Sequence, residues 1–218
     1  MREALEKELR AVGADFIRMF STCQEMLALA SRVLMDAQGD LADQVRQQDR
    51  AVDALEEKLE SECLRVIVKH QPVASDLRYT AGILRSLTDL ERIGDYCVHV
   101  AEDGRTLAQE PPLKRYINLG QMIARCQAML ELTGRAFTER DARAAEQAAA
   151  MDAEIDDLYE QTQRELITYM LEDARTITKS VTLLRVGRSL QRIGDHIENV
   201  SERVRYWVTG ERPADTPR

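Results

Sequence analysis

Acidic residues spaced four apart recur along the chain. Two pairs stand at Asp49-x-x-x-Asp53 and Glu91-x-x-x-Asp95, and the spacing returns at Asp152-x-x-x-Asp156 and Gln191-x-x-x-Asp195. Residues four apart on a helix share one face and lie about 6 Å apart. Like charges that close destabilise a helix slightly, so the pattern calls for a cation or for protons. A hairpin turning at Pro72 would set Asp49 level with Asp95 and Asp53 level with Glu91. A second one, turning beside Asp173, would set Asp152 level with Asp195 and Asp156 level with Gln191. Seven carboxylates and one amide would then form two quartets. Oxygen-rich clusters of this kind suit divalent or trivalent cations such as iron, manganese, magnesium or calcium. Zinc fits less well, because nitrogen and sulfur ligands are scarce. A single pair of this type is ordinarily solvated surface, and the register of the pairs in two places favours metal.

The elements that would position these acids are helices. Apolar residues recur at alternating three- and four-residue steps, as in Leu5, Leu9, Val12, Phe16, Met19, Cys23 and Met26, which marks helices packed along a seam. With Val52 and Gly94 on that seam at heptad position a, Asp49 and Glu91 fall at e, and Asp53 and Asp95 at b. The acids thus line one partly exposed groove. Gly94 and Gly194 sit on the seam itself, where a missing side chain lets the neighbouring helix approach. His99, one turn after Asp95, is a peripheral candidate, although a solvated histidine is the commoner case. Glu102 and Glu202, two turns on, are weaker candidates. Arg92 and Arg192 neutralise nearby acids.

Punctuation divides the chain. Gly39 suits a helix C-cap and Asp40 the next N-cap, Pro72 ends a second helix, and Glu110-Pro111-Pro112 reads as a linker. Three further helices follow, at Tyr116 to Phe137, about Arg140 to Met170, and about Ala174 to Val208. The tail from Thr209 is expected to be disordered. Residues 1–110 and 113–208 would each form an antiparallel three-helix bundle. Sliding the chain by 100 positions places Leu84-Arg85 on Leu184-Arg185 and Arg92-Ile93-Gly94-Asp95 on Arg192-Ile193-Gly194-Asp195. In all, ten identities fall between residues 83 and 105. Such a repeat indicates two homologous halves and an all-α fold.

Composition narrows the classes. Ten glycines, five prolines and 5% aromatics among 218 residues argue against a β fold. A formal net charge of −8 counts against nucleic acid, which demands a basic surface. The four cysteines show no C-x-x-C pair and read as buried thiols of a cytoplasmic protein. Neither a membrane-spanning run nor a signal peptide is expected.

The segment QPVASDLRYTAGILRSLTDLERIGDYCVHVAE at 71–102, with LLRVGRSLQRIGDHIENVSE at 183–202, resembles the PhoU family of phosphate-signalling proteins. The likeness covers nearly the whole chain. It implies two three-helix bundles with multinuclear metal clusters held by Asp49, Asp53, Glu91 and Asp95 in the first half and by Asp152, Asp156 and Asp195 in the second. It also implies a cytoplasmic negative regulator of phosphate uptake and of the phosphate regulon. Such a regulator sits peripherally at the inner membrane, where it links the phosphate ABC transporter ATPase to a sensor histidine kinase. The oligomeric state stays open between monomer and homodimer. Gln191 departs from the family pattern by replacing an acid, which would weaken the second site. Glu198, one turn from Asp195, could substitute, and Asn199 and Glu202 only approximate the family's N-x-A-E ending. His99 stands where that ending has asparagine.

Three other readings compete. Oxygen-activating carboxylate bundles carry Glu-x-x-His, which this sequence lacks, and no phosphate-cradling glycine loop or nucleophile elbow occurs, so an enzyme is not expected. A metal-free helical scaffold would explain the heptads but not the register of the acids. An accessory protein of a secondary phosphate transporter is the third.

Overall fold

A computed structural model describes residues 2–211, and among these the chain is helical with no strand. The first helix, α1 (Arg2–Met35), buries Val12, Phe16, Met19, Cys23, Met26, Ala30 and Val33, a stripe at three- and four-residue steps that faces the core. It leads through a 3-10 turn (Gly39–Leu41) into α2 (Ala42–His70), whose buried side runs Val45, Val52, Leu55, Leu59, Cys63 and Val66. The capping expectation here is corrected. Ala37 takes the left-handed conformation at φ 55°, Gly39 does not, and Asp40 lies inside the 3-10 turn rather than capping α2.

The next turn is short. Gln71 closes α2 in the left-handed region, its N–H donating to the Ile67 carbonyl at 3.0 Å, and Val73 is extended. Pro72 between them cannot continue a helix, so α3 (Ala74–Leu107) runs back antiparallel to α2.

After the Pro111-Pro112 segment comes α4 (Ile117–Glu139). Arg140 ends it in the left-handed region at φ 56°. Asp141 then caps α5 (Ala142–Ala150), its Oδ1 accepting from the backbone N–H groups of Arg143 and Ala144 at 2.9 and 3.1 Å. The single rod expected from Arg140 to Met170 is interrupted. A tight turn at Met151 separates α5 from α6 (Asp152–Glu172), which begins at the first member of the second quartet. A 3-10 turn (Ala174–Thr176), opened by the Asp173 side chain, precedes α7 (Ile177–Thr209). Thr209 is therefore helical and Gly210 is its left-handed cap. The rest of the expected tail, 212–218, lies outside the described residues.

The halves are joined along their length rather than strung on a linker. The most extensive helix contact is α3 against α7, and α1 also meets α4. α3 and α7 run antiparallel. Tyr79, near the start of α3, packs on Trp207 near the end of α7 at 4.8 Å between ring centroids, while Lys179, near the start of α7, pairs with Glu110 beyond the end of α3. Equivalent helices thus face each other, as an approximate internal twofold requires. Contacts repeat with it: the Cys23 thiol donates to the Leu90 carbonyl, and Cys126 to that of Leu190. One apolar core runs through both halves. The four cysteines are free and buried, and burial pushes the Cys23 thiol up to about 12, which keeps it unreactive at neutral pH. No described helix is long and apolar enough to cross a membrane.

Candidate metal centre

Each half places its acids on the hairpin made by its second and third rods. In the second half, α6 carries Asp152 and Asp156 while α7 carries Asp195. Among the described residues these three form the one acidic group whose ligand atoms all lie within 4.8 Å of one another. Two oxygens on opposite sides of a single Ca²⁺-sized ion lie about 4.6–5.2 Å apart, so the separation suits one hard cation. Asp152 is 8% exposed, Asp195 half-buried and Asp156 exposed. Gln191 completes the quartet as a donor, its Nε2–H bonding Asp156 Oδ1 at 2.6 Å. Arg192 holds Asp195 at 2.8 Å.

The first half keeps the same order with a looser geometry. Asp49, Asp53, Glu91 and Asp95 are neighbours across α2 and α3, but no three of them gather within that distance. Burial, then repulsion from Asp53 and Asp95, raises the Asp49 carboxyl to about 6. Burial and the Asp95 charge raise Glu91 to about 7. Arg92 bridges Glu91 at 3.4 Å and Asp95 at 3.0 Å, the neutralising role expected of it.

The two seam glycines make the recess. A Cβ at Gly94 would stand 2.9 Å from Asp49 Oδ1, and one at Gly194 would collide outright with Asp152 Oδ1. Their function is therefore narrower than a general close approach of helices. Each clears space for the first carboxylate of its own half. An all-oxygen donor set in a glycine-floored recess, repeated twice, has the chemistry of a hard-cation site.

Three of the peripheral candidates have neighbours outside the quartets. Glu102 pairs with Arg46. His99 is exposed, edge-on to Tyr96 at 5.7 Å, and opens on a cleft of about 310 Å³ with Arg185 and Arg188. Asn199 turns away from the acids to Asp89, and Glu198 and Glu202 are half-buried on α7.

Asp89 is the polar residue that sequence reasoning missed. Buried on α3, it accepts from His196 Nδ1 at 2.8 Å, from Asn199 Nδ2 at 3.1 Å and from Arg203, all on α7. Burial pushes its carboxyl up, but these three donors outweigh that and hold it below the usual range. At the other end of the same interface, Asp103 pairs with Arg185. The signal was present in the repeat: position 103 is acidic where its counterpart 203 is basic.

The comparisons with known proteins agree with this architecture. The sequence matches the PhoU domain twice, over residues 16–104 and 119–204. It is 57% identical over 212 residues to a phosphate-specific transport system accessory protein PhoU homolog of Deinococcus radiodurans, covering 97% of this chain and all of that one. The phosphate-specific transport system accessory protein PhoU of Escherichia coli is 31% identical, covering 94% of this chain and 85% of that protein. The crystal structure of PhoU from Pseudomonas aeruginosa superimposes with a TM-score of 0.91 at 36% identity, over 94% of this chain and 99% of that one. Matched in both halves and along almost its full length, the chain belongs to the PhoU family.

Proposed function

We propose that the protein is a cytoplasmic negative regulator of phosphate uptake and of the phosphate regulon. It acts at the inner membrane face as an adaptor between the phosphate ABC transporter ATPase and a sensor histidine kinase. The observation that carries this reading is the near-complete match to accessory proteins of phosphate-specific transport systems. The relatives matched are accessory proteins of transport systems, so the reading is one of binding to a transporter.

In this proposal the acidic recesses hold divalent or trivalent metal. Asp49, Asp53, Glu91 and Asp95 would ligate in one half, and Asp152, Asp156 and Asp195 in the other. A cation there offsets the burial and the repulsion that lift Asp49 and Glu91, and by binding only the folded chain it stabilises the hairpins. Purification from detergent-solubilised membranes tests the adaptor role. Recovery of the phosphate ABC ATPase supports it, and recovery of a secondary phosphate transporter instead overturns it.

A further inference from the structure

Eleven large apolar side chains stand exposed among the described residues, and eight of them crowd the tips of two hairpins. Leu64 and Val68 lie in the last two turns of α2, with Val73 in the turn and Leu77 in the first turn of α3. Ile167 and Leu171 lie at the end of α6, with Ile177 and Val181 at the start of α7. Three of the four at each tip match in register. Leu64 and Val68 recur as Ile167 and Leu171 at the 103-residue offset that relates Asp49 to Asp152, and Leu77 recurs as Ile177 at the 100-residue offset of the third rods. Val68 is 78% exposed and Leu171 83%. The core needs none of these side chains, and their clustering in equivalent places marks contact surfaces rather than scattered apolar residues.

Because α3 and α7 run antiparallel over some 33 residues, the two tips sit at opposite ends of the molecule, about 50 Å apart. The internal twofold relates them. A second copy of this chain docking tip to tip would leave one tip of each molecule unused and so grow an open filament. A partner that is itself a homodimer, with one apolar socket per subunit, meets both tips in the same way and closes the assembly. We propose that the two hairpin tips are paired knobs that seat one molecule of this protein across a homodimer. Resting on the function proposed above, this makes the ATPase pair of the phosphate transporter the dimer to test.

The test is binding of the full chain to the purified phosphate ABC transporter in detergent, with stoichiometry from light scattering. One molecule should bind per ATPase pair. Val68→Asp and Leu171→Asp should each weaken binding by ~100-fold, as loss of one of two linked contacts does, and the double variant should not bind. Both side chains are exposed, so unchanged melting serves as the folding control. Wild-type affinity in the variants, dependence on one tip only, or two molecules per pair would overturn the knobs while leaving the adaptor function standing. So would loss in the variants of self-association, or of flotation with phosphatidylethanolamine–phosphatidylglycerol vesicles, while transporter binding stayed intact. Failure of the wild-type chain to bind the transporter would overturn both readings.

Discussion

The two halves share a repeat, a hairpin geometry and a glycine recess, yet their acids are held differently. In the second half three carboxylates gather within 4.8 Å, while in the first four remain apart and two have raised pKa values. The difference falls on one position. Glu91 adds a fourth negative charge, whereas Gln191 contributes an N–H that ties Asp156 down. Removing an acid thus tightens the cluster while lowering the total charge available to a cation. Preorganisation and charge are separate quantities, and this molecule carries one example of each.

The largest predicted effect concerns whether the halves behave as one body at all. Asp89→Ala strips the buried partner of Arg203 and His196 and should cost about 3 kcal/mol, roughly 10 °C in melting temperature. A single cooperative transition that moves as a whole would show the halves locked together, and a melt in which only one part moves would show them independent. Next, Gln191→Glu should bring the second half into line with the first. Chelator titration should find metal there held about 10- to 100-fold more tightly than in the parent, which loses metal from this half first. Unchanged affinity would mean that residue 191 does not set the difference.

Gly194→Ala and Gly94→Ala separate the recesses by tightness. Alanine raises helix propensity by up to about 1 kcal/mol, so any net loss measures the displaced carboxylate. The penalty at Gly194, about 2 kcal/mol, should exceed that at Gly94 in thermal melts. The smallest effect is with pH. Asp49 and Glu91 bind protons more readily folded than unfolded, so their contribution favours the folded state below pH 5 and is lost as pH rises through 6 to 7. Metal-free protein should therefore melt higher at pH 5.5 than at pH 7.5. Glu91→Gln should flatten the slope, whereas Asp195→Asn should preserve the Asp49 and Glu91 contribution.

Much of this was legible in the residues. The three-four spacing, Pro72, and the repeat of Arg-Ile-Gly-Asp suffice to place six rods, two hairpins and the level of the acids, because each depends on local geometry alone. What was not legible depends on contacts between elements. Nothing local marks Asp89 as the partner of Arg203, since the pairing spans both halves. The break at Met151 leaves no proline or glycine behind it. Gln191 alone reads as a missing ligand, because its hydrogen bond to Asp156 depends on how α6 packs against α7.

Metal content of protein purified without chelator tests the central claim most directly, read by elemental mass spectrometry beside the Glu91→Gln/Asp95→Asn and Asp152→Asn/Asp195→Asn variants. Bound metal in the parent, with each variant losing its own half's share and melting lower once saturated parent and variant are compared, is the predicted result. A parent free of metal, or variants with the parent's metal content and melting temperature, would contradict it.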